Sequence, residues 1–134
     1  MITEDHVSFE TAKLLKEKGF NEACVVFYDN GYNHALKFQR CCGPCWLCDN
    51  DSVVAINGIC VAPTLQMAMK WLREVHNIHV VPKFDFYAGD YTGRIYDGRR
   101  ESTAEKDDYI AIVGNNTYEQ ACEAGIKYCL ENLI

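Results

Sequence analysis

The stretch APTLQMAMKWLREVHNIHVVPKFDFY, residues 62–87, changes its period part-way and so decides the fold. In its first half Leu65, Ala68, Leu72 and Val75 make one apolar stripe, and Gln66, Lys70, Arg73 and Asn77 make the opposite polar one. That three-and-four spacing is the pattern of an amphipathic helix running to about Val75. Pro63 suits its first turn, where a missing N–H costs nothing. Met67, Met69 and Trp71 widen the apolar side, and such width asks for packing on two sides, against a sheet and against a second subunit, so a homo-oligomer is expected. From His79 to Tyr87 the residues are those of a strand.

Towards the C-terminus, Arg94–Tyr96 and Tyr109–Val113 read as two further strands of a meander, separated by a turn at Gly89–Gly93 and by the charged loop DGRRESTAEKDD. Thr117-Tyr-Glu-Gln120 is a capping box that opens a last helix, with Glu119, Glu123, Lys127 and Glu131 along one side. Towards the N-terminus, Ser8 caps a helix over Phe9–Lys18 and Gly19 stops it. Ala23–Tyr28 and His34–Phe38 flank the turn signal Asn30-Gly31, while Val53–Ile56 and Ile59–Val61 flank Asn57-Gly58, giving two hairpins on either side of an aperiodic loop at 39–52. The order α-ββ-ββ-α-βββ-α describes an α+β domain, with a mixed or antiparallel sheet of about five to seven short strands and three helices on one face or at one end.

With 134 residues, 49% of them apolar and 24% charged, the chain has the size and composition of a single domain that folds alone. The opening MITEDHVSFE lacks the basic and apolar regions of a secretory signal, and no run of about eighteen apolar residues occurs, so a cytoplasmic chain with no membrane span is expected. A net charge of −6 argues against a non-specific nucleic-acid binder, because a polyanion must be met by clustered Lys and Arg.

Eight cysteines in a cytoplasmic chain point to metal or thiol chemistry before disulfides. Cys42, Cys45 and Cys48 at successive spacings of three, with Cys60, Cys41 or His34 as a fourth ligand, could close a tetrahedral zinc site. Free thiols without a role and a redox turn at Cys42-Gly-Pro-Cys45 are the alternatives. Cys122 and Cys129 share a helix side too far apart to bond and read as core thiols. His76 and His79 could pair on a metal, or simply complement the end of a helix.

Tyr87, Tyr91, Arg94, Tyr96, Arg99 and Arg100 gather around the meander's turns. Aromatic rings stack on bases and Arg forks onto phosphates, so this group is the candidate for a small anionic, nucleotide-like ligand, with Lys70 and Arg73 as a second cationic face. Tyrosines on half-exposed strands, a solvated loop and an ordinary Lys70–Glu74 pair explain the same residues without a ligand. No GxGxxG, Walker loop, GxSxG or paired-carboxylate arrangement is present, and Asp85, Asp90 and Asp97 are scattered over turns. A non-enzymatic protein without a cofactor is therefore expected, with a Cys42 or Cys45 thiolate as the remaining route to catalysis.

The stretches APTLQMAMKWLREVHNIHV (62–80), TYEQACEAGIKYCLENLI (117–134) and ETAKLLKEKGFNEAC (10–24) resemble a family of small uncharacterised proteins common in gut bacteria and their bacteriophages. The resemblance covers a little over a third of the chain and excludes the cysteine loop. It implies no established biochemistry and carries over no site residues, but it points to phage-type accessory proteins of the host-cell cytoplasm that act by binding, some of which sequester nucleotide-derived immune signals as a counter-defence. The alternative is a zinc-stabilised cysteine loop that presents Trp46 and Leu47 to a protein partner.

Overall fold

Ser8 is extended (φ −65°, ψ 163°) and its hydroxyl accepts the Thr11 N–H at 3.3 Å, so the chain enters helix α1, Phe9–Glu17, with one orphan donor satisfied. At the other end Lys18 is the C-cap, Gly19 turns left-handed (φ 90°), and the N–H groups of Gly19 and Phe20 donate back to Lys16 and Leu15 at 3.2 and 2.9 Å. This Schellman closure ends the helix one residue short of the expected Lys18 and brackets two buried side chains, Leu15 and Phe20.

The computed structural model describes residues 1–28, 36–38, 60–101 and 108–134, which divide into two compact units, 1–64 and 65–134. Three helices and six strands among these residues make an α+β fold. In place of the one mixed or antiparallel sheet expected, there are two three-stranded sheets, and every pairing in them is antiparallel. The connections from Tyr28 to Leu36 and from Asp85 to Asp90 are too short for the crossover that a parallel pair needs.

In the first unit β1 (Val26–Tyr28) lies between β2 (Leu36–Phe38) and β3 (Cys60–Val61). Tyr28, buried at the end of β1, donates its hydroxyl to the Val7 carbonyl at 2.7 Å and meets Phe9 edge-on at 5.7 Å. His6 Nδ1 donates to the Ala62 carbonyl at 2.9 Å and the Val7 N–H donates to Pro63 at 3.0 Å, which ties residues 6–7 to the segment leaving β3. The turns expected at Asn30-Gly31 and Asn57-Gly58, the strand at Val53–Ile56 and the loop at 39–52 lie outside the described residues.

In the second unit α2 (Leu65–His76) leads through one residue, Asn77, into β4 (Ile78–Asp85), followed by β5 (Asp90–Asp97), β6 (Ile110–Asn115) and α3 (Tyr118–Asn132). Asn77 makes the reversal at φ 52°, a conformation that Asn tolerates better than other non-glycine residues, and its carbonyl accepts the Gly98 N–H at 2.9 Å. On α2, Leu65, Ala68, Met69, Trp71 and Leu72 are buried, whereas Val75, expected in the apolar stripe, is 58% exposed. The buried side is thus centred on Met69 and Leu72, and the stripe ends before the last turn.

The turn expected at Gly89–Gly93 is shorter and earlier. β4 and β5 pair all the way to Asp85 opposite Asp90, and residues 86–89 alone make the connection. Asp85 organises it: its carbonyl accepts the Gly89 N–H at 2.8 Å, and its carboxylate accepts the N–H groups of Tyr87 and Ala88 at 2.9 and 3.1 Å. Thr117 caps α3 by accepting the Gln120 N–H at 3.1 Å, and the Gln120 side chain returns to the Asn116 N–H at 3.0 Å, one residue before the partner of a standard capping box.

Helix α3 packs across all three strands and against α2. The approach is closest at two glycines. A Cβ at Gly125 would stand 2.5 Å from Val80 Cγ1, and one at Gly93 would stand 2.9 Å from the Ala121 carbonyl oxygen. We expect Gly125→Val to destabilise the protein by about 1–3 kcal/mol through overpacking. Val80→Ala in the same chain should recover part of that loss, read as a non-additive double-mutant cycle in urea unfolding.

Candidate functional site

Because side chains alternate along a strand, closure of one face by α3 assigns the other face by parity. Val80, Gly93 and Ile95 lie on the closed side and are buried. The open side therefore carries His79, Val81 and Lys83 of β4, Thr92, Arg94 and Tyr96 of β5, and Ala111 of β6. At the hairpin end of this face a groove of about 300 Å³ is lined by Lys83, Phe84, Asp85, Phe86, Tyr87, Thr92 and Arg94.

Arg94 is the best-positioned group there. Its guanidinium carbon lies 4.4 Å over the Tyr109 ring, and Tyr109 in turn is tilted against Tyr96 at 5.6 Å between ring centres. The ring orients the cation without consuming its donors. Nε of Arg94 is buried and has no hydrogen-bond partner among the described residues. Phe86 and Tyr87 stand exposed at the tip, 6.2 Å apart and edge-on.

The groove thus joins Tyr87 and Arg94 of the expected ligand set, and Tyr96 follows on the same face through Tyr109. Tyr91 points the other way, tilted against Phe84 at 5.2 Å and meeting Tyr118 of α3 edge-on at 6.2 Å. Arg99 is occupied: Nε and Nη2 fork onto the two Asp97 carboxylate oxygens at 2.8 and 2.9 Å, and Nη2 also donates to the Leu133 carbonyl at 2.9 Å. Lys70 pairs with Glu74 at 3.8 Å on the solvent side of α2, Arg73 is exposed on the same helix, and neither lines the groove. Gln66, beside them in sequence, donates to the Tyr118 hydroxyl at 3.2 Å.

Lys83, Phe86, Thr92 and Tyr109 are the site residues that sequence reasoning missed. The signal for two of them was register: once the turn is placed at 86–89, Lys83 falls opposite Thr92 and diagonal to Arg94.

Comparison with protein-family models, with curated proteins and with solved structures finds no match to this chain.

Of the ligands considered for zinc, His34, Cys41, Cys42, Cys45 and Cys48 lie outside the described residues; Cys60 is buried in β3. Among the described residues no group of three or more His, Cys, Asp or Glu side chains converges on a point. His76 meets Trp71 edge-on at 4.6 Å, and burial, aided by Arg99, lowers its pKa, whereas His79 Nε2 donates to the Asn77 side chain at 3.2 Å. Burial dominates the buried thiols too. It pushes Cys24 and Cys122 up to about 11 and Cys129 up to about 12, and raises Cys60 against the pull of Lys16 and Lys13.

Two outcomes are expected. Alkylation at pH 7.5 should leave Cys24, Cys60, Cys122 and Cys129 unmodified until denaturant is added, as mapped by peptide mass spectrometry, because a buried neutral thiol is a poor nucleophile. The Arg99 hydrogen bonds hold the Asp97 carboxyl below its ordinary range, so its stabilising contribution is complete above the unfolded value near 3.9 and is lost as pH falls through the lower folded value. Arg99→Ala should therefore cost about 1–3 kcal/mol at pH 7, with the difference from the parent chain shrinking below about pH 4 in pH-dependent unfolding.

Proposed function

We propose that this chain is a non-enzymatic binding protein that captures a small anionic, nucleotide-like ligand in the groove at the β4–β5 hairpin. The observation that carries this reading is the placement of Lys83 and Arg94 beside the exposed rings of Phe86 and Tyr87, in a cavity whose volume falls at the lower end for small-molecule sites. Two cations give charge-assisted hydrogen bonds to phosphate oxygens, Thr92 adds a hydroxyl, and an aromatic ring accepts a base face. Arg94, already oriented by Tyr109, loses little side-chain freedom on binding.

A protein that holds such a ligand without converting it lowers the ligand's free concentration in proportion to its own abundance. Together with the resemblance to phage-associated proteins, that supports sequestration of a nucleotide-derived signal in the host-cell cytoplasm as the biological role. Among the described residues no helix is long and apolar enough to cross a membrane, in keeping with action on a dissolved ligand.

A charge-assisted hydrogen bond is worth about 1.5–3 kcal/mol. Lys83→Ala and Arg94→Ala should therefore each weaken nucleotide binding by about ten- to a hundredfold in isothermal titration calorimetry, and binding should weaken further with added salt. Arg99→Ala, whose guanidinium is already held by Asp97, should leave affinity unchanged. Equal binding by the parent chain and the Arg94→Ala variant, or no binding of any linear or cyclic nucleotide by the parent, would refute the assignment.

A further inference from the structure

The groove is one end of a longer row. Thr92, Arg94 and Tyr96 occupy alternate positions of β5, so each step along the open face is about 6.8 Å. Lys83 lies opposite Thr92, and Tyr109 bridges Arg94 and Tyr96 from the neighbouring strand edge. From the hairpin tip inward the face presents an aromatic pair (Phe86, Tyr87), the Asp85–Asp90 pair, with the Asp85 carboxylate taken up by the turn N–H groups, a cation (Lys83), a second cation (Arg94) and a second aromatic pair (Tyr96, Tyr109). A mononucleotide has one base and uses one of these aromatic ends. Filling both requires two bases joined through a phosphate that passes the two cations.

The row is also bounded. The open-face positions named above hold no third Lys or Arg, so the phosphate of a further nucleotide would meet no cation there. The chain's net charge of −6 adds a general repulsion for a long polyanion.

We propose that the open face of this sheet is a site for a short oligonucleotide, a dinucleotide or trinucleotide in linear or cyclic form, with bases stacked at Phe86/Tyr87 and at Tyr96/Tyr109 and the joining phosphate held between Lys83 and Arg94. This rests on the ligand-capture reading above and adds the length of the ligand and a second stacking end to it. Base stacking on aromatic side chains is tolerant of sequence, so the discrimination is by length before base identity.

The test is calorimetric titration of the full chain with a nucleoside monophosphate, the corresponding 5′-phosphorylated dinucleotide and trinucleotide, a cyclic dinucleotide and a twelve-nucleotide strand, over the four bases. The expected result is at least tenfold tighter binding of a dinucleotide or trinucleotide than of the monophosphate, with no gain per site for the long strand. In Tyr96→Ala the ratio of dinucleotide to monophosphate affinity should fall towards one, and Tyr96→Phe, which keeps the ring, should restore it. Equal affinity for monophosphate and dinucleotide, or a ratio that survives Tyr96→Ala, overturns the two-ended site while leaving ligand capture standing. Binding that rises steadily with strand length overturns the bounded row. Absence of binding by every probe overturns both readings.

Discussion

The contact between α3 and the second sheet is the constraint from which the rest of that unit follows. A helix ordinarily stands off a sheet by the length of its side chains, yet here Val80 fills the space at Gly125 and the Ala121 carbonyl approaches Gly93 to a distance that a Cβ would violate. The packing of Ile126, Cys129 and Leu130 around these points excludes water from one side of the sheet. Parity along β4 and β5 then leaves the alternate residues to solvent, and among them are Lys83, Arg94 and Tyr96.

Two arginines five positions apart have opposite fates for the same reason. Arg99 follows β5 and folds back on Asp97, whose side chain is only 8% exposed, and it also reaches the Leu133 carbonyl. A buried carboxylate needs a partner, so that guanidinium is committed to the fold. Arg94 lies on the open face, where a tyrosine ring orients it and, among the described residues, no carboxylate holds it. Residue type alone does not separate a structural cation from a binding one; the parity of the position and the nearest carboxylate do.

What was legible in the sequence was local. Ser8, Gly19 and Thr117 act through neighbours a few residues away, so the helix ends they mark are found within a residue or two. The α+β class followed from the change of period at residues 62–87. Less legible was anything that depends on register. Glycine-based turn rules placed the β4–β5 reversal at Gly89–Gly93, whereas the Asp85 side chain fixes it earlier, and that displacement hid Lys83 and Thr92 while wrongly grouping Tyr91 with Arg94. Val75 was misassigned because the helical stripe was extended through a last turn that has no neighbour to cover it among the described residues. Asn77, by contrast, could have been read as a helix stop, since Asn is the usual substitute for glycine in the left-handed position.

The hairpin turn at Asp85 separates architecture from contact. Its geometry is held by one side chain and by main-chain groups, while Phe86 and Tyr87 supply N–H donors or nothing to it and project their rings outward. Any residue with a backbone N–H can replace them without loosening the loop. Variation at these two positions is therefore nearly neutral for folding and fully visible to whatever molecule meets the tip, which makes the turn a place where a lineage can change what it captures in single substitutions.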